Sequence, residues 1–111
     1  DNDLLAAKVA KLVNADLLVV LSTIDGLYTS QENIFSKKSG VLVTEVSKIN
    51  AKIKKMAGEA SYMGKGGMIS KIEAAEICLK NNCVMVITSG NNKKPIRGLS
   101  KRKKSTWFIK K

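Results

Sequence analysis

The sequence predicts an α/β architecture in which helices cover a mainly parallel sheet. Three observations carry that expectation. Leu17-Leu-Val-Val-Leu21 and Cys83-Val-Met-Val-Ile-Thr88 are continuous apolar runs of strand length, the pattern of strands buried on both faces. Segments with helical spacing precede both runs, so helices and strands alternate along the chain. Each run ends in a polar loop, Ser22-Thr-Ile-Asp-Gly-Leu-Tyr28 or Ser89-Gly-Asn-Asn92. Open α/β sheets place their ligands at that end of a strand.

The elements follow in order. Residues 3–14 read as a helix, with Leu5, Val9, Leu12 and Val13 at helical spacing and Asn2 or Asp3 as cap. The first apolar run is a strand. Residues 29–40 form an irregular excursion, and Val41-Leu-Val-Thr-Glu-Val46 is a short strand candidate. Residues 48–57 suggest a basic amphipathic helix with Ile49, Ile53, Met56 and Ala57 inward. A glycine-rich loop then opens a helix from about Gly67 to Asn81, with Ile72, Ala75, Ile77 and Leu79 as its apolar surface. After the second run, Pro95–Leu99 reads as one helical turn and Thr106-Trp-Phe-Ile109 as a final strand. Three or four strands make a thin sheet to be covered on both faces. The chain begins on a helix and without an initiator methionine, so the expectation is a part of a larger α/β domain.

Composition narrows the function classes. The 111 residues suit one domain, and the apolar fraction of 44% is ordinary for a globular chain. No apolar run reaches 18 residues and no signal sequence is evident, so the expected location is the cytoplasm. The net charge is +11, which suggests nucleic acid at first sight. Residues 93–111 hold nine basic side chains and no acid, whereas residues 1–92 carry a net of +2. The excess therefore lies in the tail, around Trp107 and Phe108, with no RNA-binding motif beside it. A run such as Lys101-Arg-Lys-Lys104 reads first as a solvated face. The two cysteines, Cys78 and Cys83, fit no zinc spacing and read as small buried hydrophobes. The chain has no histidine, which removes Ser-His-Asp and Cys-His catalysis.

Gly64-Lys-Gly-Gly-Met-Ile-Ser-Lys71 is the segment richest in chemistry. Glycine lets a backbone come close to a phosphate. A helix N-terminus offers free N–H groups and the positive end of a dipole. Lys71, one turn in, adds a full charge. Taken alone, the segment reads equally well as a flexible surface turn before an ordinary helix.

Three segments stand in order: Asp1-Asn-Asp-Leu-Leu-Ala-Ala7, Ala15-Asp-Leu-Leu-Val-Val-Leu-Ser-Thr-Ile-Asp-Gly-Leu-Tyr28, and Gly64–Lys71 running into Ile72-Glu-Ala-Ala75. Together they resemble the glutamate 5-kinases of the amino acid kinase superfamily. There a Gly-Asp-Asn-Asp segment opens a helix, a strand ends in Thr/Ser-Asp-x-x-Gly-Leu-Tyr, and Gly-Thr-Gly-Gly-Met-x-Thr-Lys opens another helix. Ser105-Thr-Trp-Phe108 is similar to the strand that closes that domain. The resemblance covers the whole chain but only the C-terminal, nucleotide-binding half of the kinase domain. It implies an incomplete three-layer α/β/α fold with a mainly parallel sheet.

The resemblance also implies a reaction: transfer of the γ-phosphoryl group of ATP, with Mg²⁺, to the side-chain carboxylate of L-glutamate, the first step of proline biosynthesis. Asn2 resembles a substrate-binding asparagine, with Asp1 beside the substrate. Asp3 is similar to an aspartate that orients catalytic lysines. Ser22 and Thr23 take the place of a nucleotide-contacting pair. Lys65, Gly66, Gly67, Met68, Ile69, Ser70 and Lys71 take that of the ATP-binding loop and helix start, and Lys71 resembles the lysine that faces the phosphates. No residue is implied as a metal ligand. Two departures stand out: Thr23 replaces the family's aspartate, and Lys65 replaces a threonine. The family's first phosphate loop and most of its glutamate pocket belong to an N-terminal half, which is the implied partner. The chain alone is thus expected to be inactive, and the complete protein to be a homo-oligomer.

Read from spacing alone, Asp1 and Asp3 are helix caps, and only the combination with the other two segments points to a site. Two other functional readings stay open. One is a different amino acid kinase, or the kinase part of a pyrroline-5-carboxylate synthase. The other is a small basic nucleic-acid-binding module, whose affinity would fall steeply with salt.

Overall fold

The two apolar runs become neighbouring strands. The computed structural model describes residues 2–29, 40–62, 67–91, 93–100 and 104–111, with the backbone alone over 59–62. In chain order its elements are α1 (Asn2–Leu12), β1 (Leu17–Ser22), β2 (Glu45–Val46), α2 (Ala51–Tyr62), α3 (Met68–Lys80), β3 (Val84–Ser89), α4 (Pro95–Leu99) and β4 (Ser105–Phe108). The strands form one sheet in the order β1-β3-β4-β2. β1 and β3 are parallel, from Leu17 opposite Val84 to Ser22 opposite Ser89. β2 and β4 are also parallel, but β3 and β4 are antiparallel. That reversal has a simple cause. The connection from β3 to β4 contains one helical turn and stays at the end of the sheet where β3 finishes, so β4 runs back from there.

Two helices end in the same way. Asn14 and Asn82 adopt left-handed φ values of 55° and 56°. The Ala15 N–H donates to the Ala10 carbonyl, and the Cys83 N–H to the Cys78 carbonyl, both at 2.9 Å. This six-to-one bond after a left-handed residue is the Schellman ending. It stops α1 at Leu12, short of the expected 14, and α3 at Lys80. Asn50 fixes the start of α2: its Oδ1 accepts the Ile53 N–H at 3.0 Å, so the helix begins at Ala51 rather than 48 and runs on to Tyr62.

The core joins one face of the sheet to the helices. Val20, Met85, Ile87 and Phe108 from the strands pack with Met68, Ile72, Ala75 and Cys78 of α3, Ala7 and Ala10 of α1, and Ile53 and Met56 of α2. α1 therefore buries its alanines. Leu5, Val9, Leu12 and Val13, which the spacing makes an inward stripe, are exposed. Small residues on α1 and at Ala74 and Ala75 of α3 let those two helices approach closely, and the larger apolar side chains take the outer flank. On α3, Ile77 and Leu79 are only half-buried. β1 departs from expectation too. Among the described residues it is an edge strand, with Leu17 and Leu21 44% and 49% exposed, rather than a strand covered on both faces. The expected strand over 41–46 shrinks to Glu45–Val46, because Leu42 forms an antiparallel bridge with Tyr28 instead.

Candidate functional site

A short turn links the end of α1 to β1 and the end of α3 to β3, so both helices begin at the finishing end of the parallel strands. Their N-termini meet there. Lys71 Nζ lies 3.2 Å from Asp3 Oδ2, and both side chains are largely buried. A contact across 68 residues of sequence thus joins the first turn of α1 to the first turn of α3. Gly67 makes the arrangement possible. It holds φ at 91°, a left-handed value that costs glycine little. The Lys71 ammonium lies only 3.3 Å from where a Cβ on Gly67 would stand, so the absent side chain leaves it room.

The start of α3 has no side-chain cap on its backbone. The first N–H groups of a helix have no partner within it. Met68 is buried and anchors the turn in the core, whereas Ile69 is 45% exposed and Ser70 half-buried. The turn therefore offers main-chain donors and one ammonium, a combination that suits an anion.

The loop after β1 lies at the same end of the sheet. Ser22 Oγ accepts the Ile24 N–H at 3.4 Å, and Thr23 is exposed. Ser22 thus bonds within its own loop. Further along, the loop is fixed by a residue that motif reasoning passes over. Thr106, wholly buried in β4, accepts the Leu27 N–H at 2.9 Å and donates to the Val43 carbonyl at 2.6 Å. A Cβ on Gly26 would run into the Thr106 hydroxyl. Gly26 and Thr106 are therefore fitted to each other; in the sequence both lie in segments that resemble the family's, but nothing there links one to the other. The Tyr28 hydroxyl donates to Asp25 Oδ2 at 3.3 Å. Burial, with the Asp25 carboxylate beside it, holds the Tyr28 phenol above its ordinary value.

Of the expected site residues, the structure brings Asp3 and Lys71 together and puts Asn2, exposed, beside Asp3 on α1. Asp1, Lys65 and Gly66 lie outside the described residues. Among the described residues no three His, Cys, Asp or Glu side chains are grouped to hold a metal ion, and no helix is long and apolar enough to cross a membrane. Trp107 and Phe108 are strand residues, Phe108 is wholly buried, and the Trp107 ring N–H donates to Ser105. Phe108 is thus closed to base stacking.

Known proteins are similar to this chain in sequence and in fold. The amino acid kinase family model matches residues 1–89. A glutamate 5-kinase of Pelagibacter ubique is 43% identical over the whole chain, and one of Clostridium acetobutylicum is 46% identical. The chain spans 30% and 42% of those two proteins' lengths. A crystal structure of UMP kinase from Ureaplasma parvum matches 99% of the chain with a TM-score of 0.61 at 16% identity, covering 40% of that protein. That likeness is one of fold.

Proposed function

Because this chain belongs to the amino acid kinase family, we propose that residues 1–111 are the C-terminal, nucleotide-binding part of a glutamate 5-kinase domain. The complete domain would transfer the γ-phosphoryl group of ATP to the side-chain carboxylate of L-glutamate, giving glutamyl 5-phosphate. Identities of 43% and 46% with two glutamate 5-kinases support the choice of substrate. The observation that carries the reading is the Asp3–Lys71 pair, which aims a fixed ammonium at the start of α3.

The chemistry asks little of the side chains. The glutamate carboxylate is already an anion, so no general base is needed. One carboxylate oxygen bonds to the γ-phosphorus, the bond to the bridging oxygen breaks, and ADP leaves. Such transfers are catalysed by positioning and by stabilisation of charge. Lys71 and the N–H groups of Met68, Ile69 and Ser70 would face the phosphates, with Gly67 and, before it, Lys65 and Gly66 shaping the approach. Asp3 holds Lys71 in place. Ser22 and Thr23 border the nucleotide. Thr23 offers a neutral hydroxyl where an aspartate is usual. Asn2, with Asp1, would meet the glutamate. Mg²⁺ would neutralise phosphate charge when bound. The lack of a carboxylate cage among the described residues fits an ion held largely by phosphate oxygens and water.

The test uses a joined form, in which the part of the Clostridium relative preceding its matched region is fused ahead of Asp1. Glutamate-dependent ADP release is measured for the parent, Lys71→Ala and Lys80→Ala. Loss of a contact to developing charge commonly costs about 10²–10³ in turnover. Lys71→Ala should show that loss in kcat rather than in glutamate KM. Lys80, exposed in the last turn of α3, should be silent. The 111-residue chain alone should give no turnover in the range of about 1–100 per second usual for kinases. A Lys71→Ala enzyme within a few-fold of the parent would overturn the assignment.

A further inference from the structure

The connection between β3 and β4 is the most strongly charged part of the chain. Between Ser89 and Ser105 it holds seven basic side chains and no acid. Lys93, Lys94, Arg97 and Lys104 are the four among the described residues, and all are exposed. None of the four is in an ion pair with another described residue; the pairs there are Lys54–Glu76, Lys71–Asp3 and Lys111–Glu45. Like charges crowded together repel one another. A merely solvated face could lie anywhere on the surface, but this one is held in a particular place. Leu99 is buried and ties α4 down. The Thr88 hydroxyl donates to the Lys104 carbonyl at 3.0 Å, which ties the far end of the connection to the end of β3.

That place is the end of the sheet proposed to hold the nucleotide. Ser22 stands opposite Ser89, and its carbonyl accepts the Gly90 N–H at 2.8 Å. Thr88 stands opposite Ser105, the residue after Lys104. The ends of β1 and β3 and the beginning of β4 therefore lie in a row, with Ser22 on one side and Lys104 on the other. Neighbouring strands are about 4.8 Å apart, so the Lys104 backbone lies about 10 Å from the loop that carries Ser22 and Thr23. The Debye length at physiological salt is about 8 Å, so charge on the connection reaches that loop only partly screened. Asp3 is balanced by Lys71 at 3.2 Å, and one carboxylate, Asp25 in the loop after β1, offsets little of seven positive charges. We propose that this connection is an electrostatic rim of the nucleotide site, which draws in the phosphate chain of ATP and speeds its capture. Rim charges act on the association rate and its salt dependence more than on the bound complex. Nucleic acid fits the surface less well: Phe108 is wholly buried and Trp107 half-buried, so no exposed ring among the described residues stands ready to stack a base. The inference rests on reading the chain as the nucleotide-binding part of a kinase domain.

Stopped-flow association tests it in the joined form, with Mg²⁺ and ATP carrying a fluorescent label on its ribose. Steering of this kind is worth about 10–10³ in association rate. At about 0.01 M salt the Debye length is about 30 Å. There, Lys93→Gln, Lys94→Gln, Arg97→Gln and Lys104→Gln together should slow association at least about tenfold and change dissociation little. At about 1 M salt, where the Debye length is about 3 Å, parent and variant should coincide. Labelled adenosine, which has no phosphate, should bind both alike at either salt. A second variant, Lys93→Glu with Lys94→Glu, should be slower at low salt than Lys93→Gln with Lys94→Gln, since charge rather than shape is at issue. Equal rates for the parent and the fourfold variant at low salt overturn the proposal. So does an equal slowing of labelled adenosine, or a loss that persists undiminished at high salt, since either marks a structural role or a direct contact. So does a fourfold variant that loses affinity for a single-stranded oligonucleotide while keeping its rate for ATP. The two readings fail separately. Salt-dependent capture of ATP without glutamate-dependent ADP release refutes the substrate assignment alone, and ADP release with equal capture refutes the rim alone.

Discussion

Thr106→Val should destabilise the domain by about 2–4 kcal/mol, and Thr106→Ser by much less. Valine keeps the shape of threonine and deletes the hydroxyl. That hydroxyl accepts from Leu27 N–H at 2.9 Å and donates to the Val43 carbonyl at 2.6 Å. Both Leu27 and Thr106 are wholly buried. A buried N–H left without its partner costs about 1–3 kcal/mol. The half-buried Val43 carbonyl, left without its donor, adds about 1 kcal/mol. Serine keeps both bonds and loses one methyl group, worth about 1 kcal/mol. The valine variant should therefore fall about 1–3 kcal/mol below the serine variant. Urea unfolding of the joined form reads the difference as a shift in midpoint at constant slope. The Leu27 amide, read by hydrogen exchange, should lose protection in the valine variant only. A valine variant as stable as the serine variant would refute the reasoning: the hydroxyl bridge would then not be what fixes the loop after β1.

Two other substitutions report on different parts of the chain. Gly67→Ala should cost about 1–2 kcal/mol, because an L side chain at φ 91° is strained and its Cβ meets the Lys71 ammonium; Gly67→Asn should be milder, and equal stability of all three would remove the strain argument. Burial, with Cys83 beside it, pushes the Cys78 thiol up to about 12 from an ordinary 9.0. The folded chain then keeps a proton that the unfolded chain releases, so stability should be full below about pH 9 and decline towards pH 12. The Cys78 contribution to the slope should approach about 1.4 kcal/mol per pH unit, the value for one proton, and Cys78→Ala should remove the part of the decline that begins near pH 9, leaving the part from Tyr28.

Much of this fold was legible because local signals agreed with the tertiary structure. The apolar runs at Leu17–Leu21 and Cys83–Thr88 read as strands and are strands, though their pairing was seen only in the structure. Asn14 and Asn82 end helices because asparagine tolerates the left-handed region. Other features depended on partners that spacing cannot reveal. Leu5, Val9 and Leu12 have the spacing of a core stripe, yet the close approach of α1 and α3 selects the alanines instead. The reversal of β4 depends on where the connection before it lies. The Ser105–Phe108 segment was legible only as a strand, and the importance of Thr106 within it comes from two backbone groups more than 60 residues away in sequence. Asp3 and Lys71 could be nominated from motifs, but an ion pair across 68 residues becomes visible only once both helix starts reach one end of the sheet.

The proposed chemistry gives Asp3 a purpose beyond capping. A free lysine side chain would lose rotamer freedom on meeting its ligand. Lys71, already held 3.2 Å from Asp3 and confined above Gly67, has lost that freedom on folding. A site divided between two parts of a domain can thus keep its key cation ordered before the parts, and the substrates, come together.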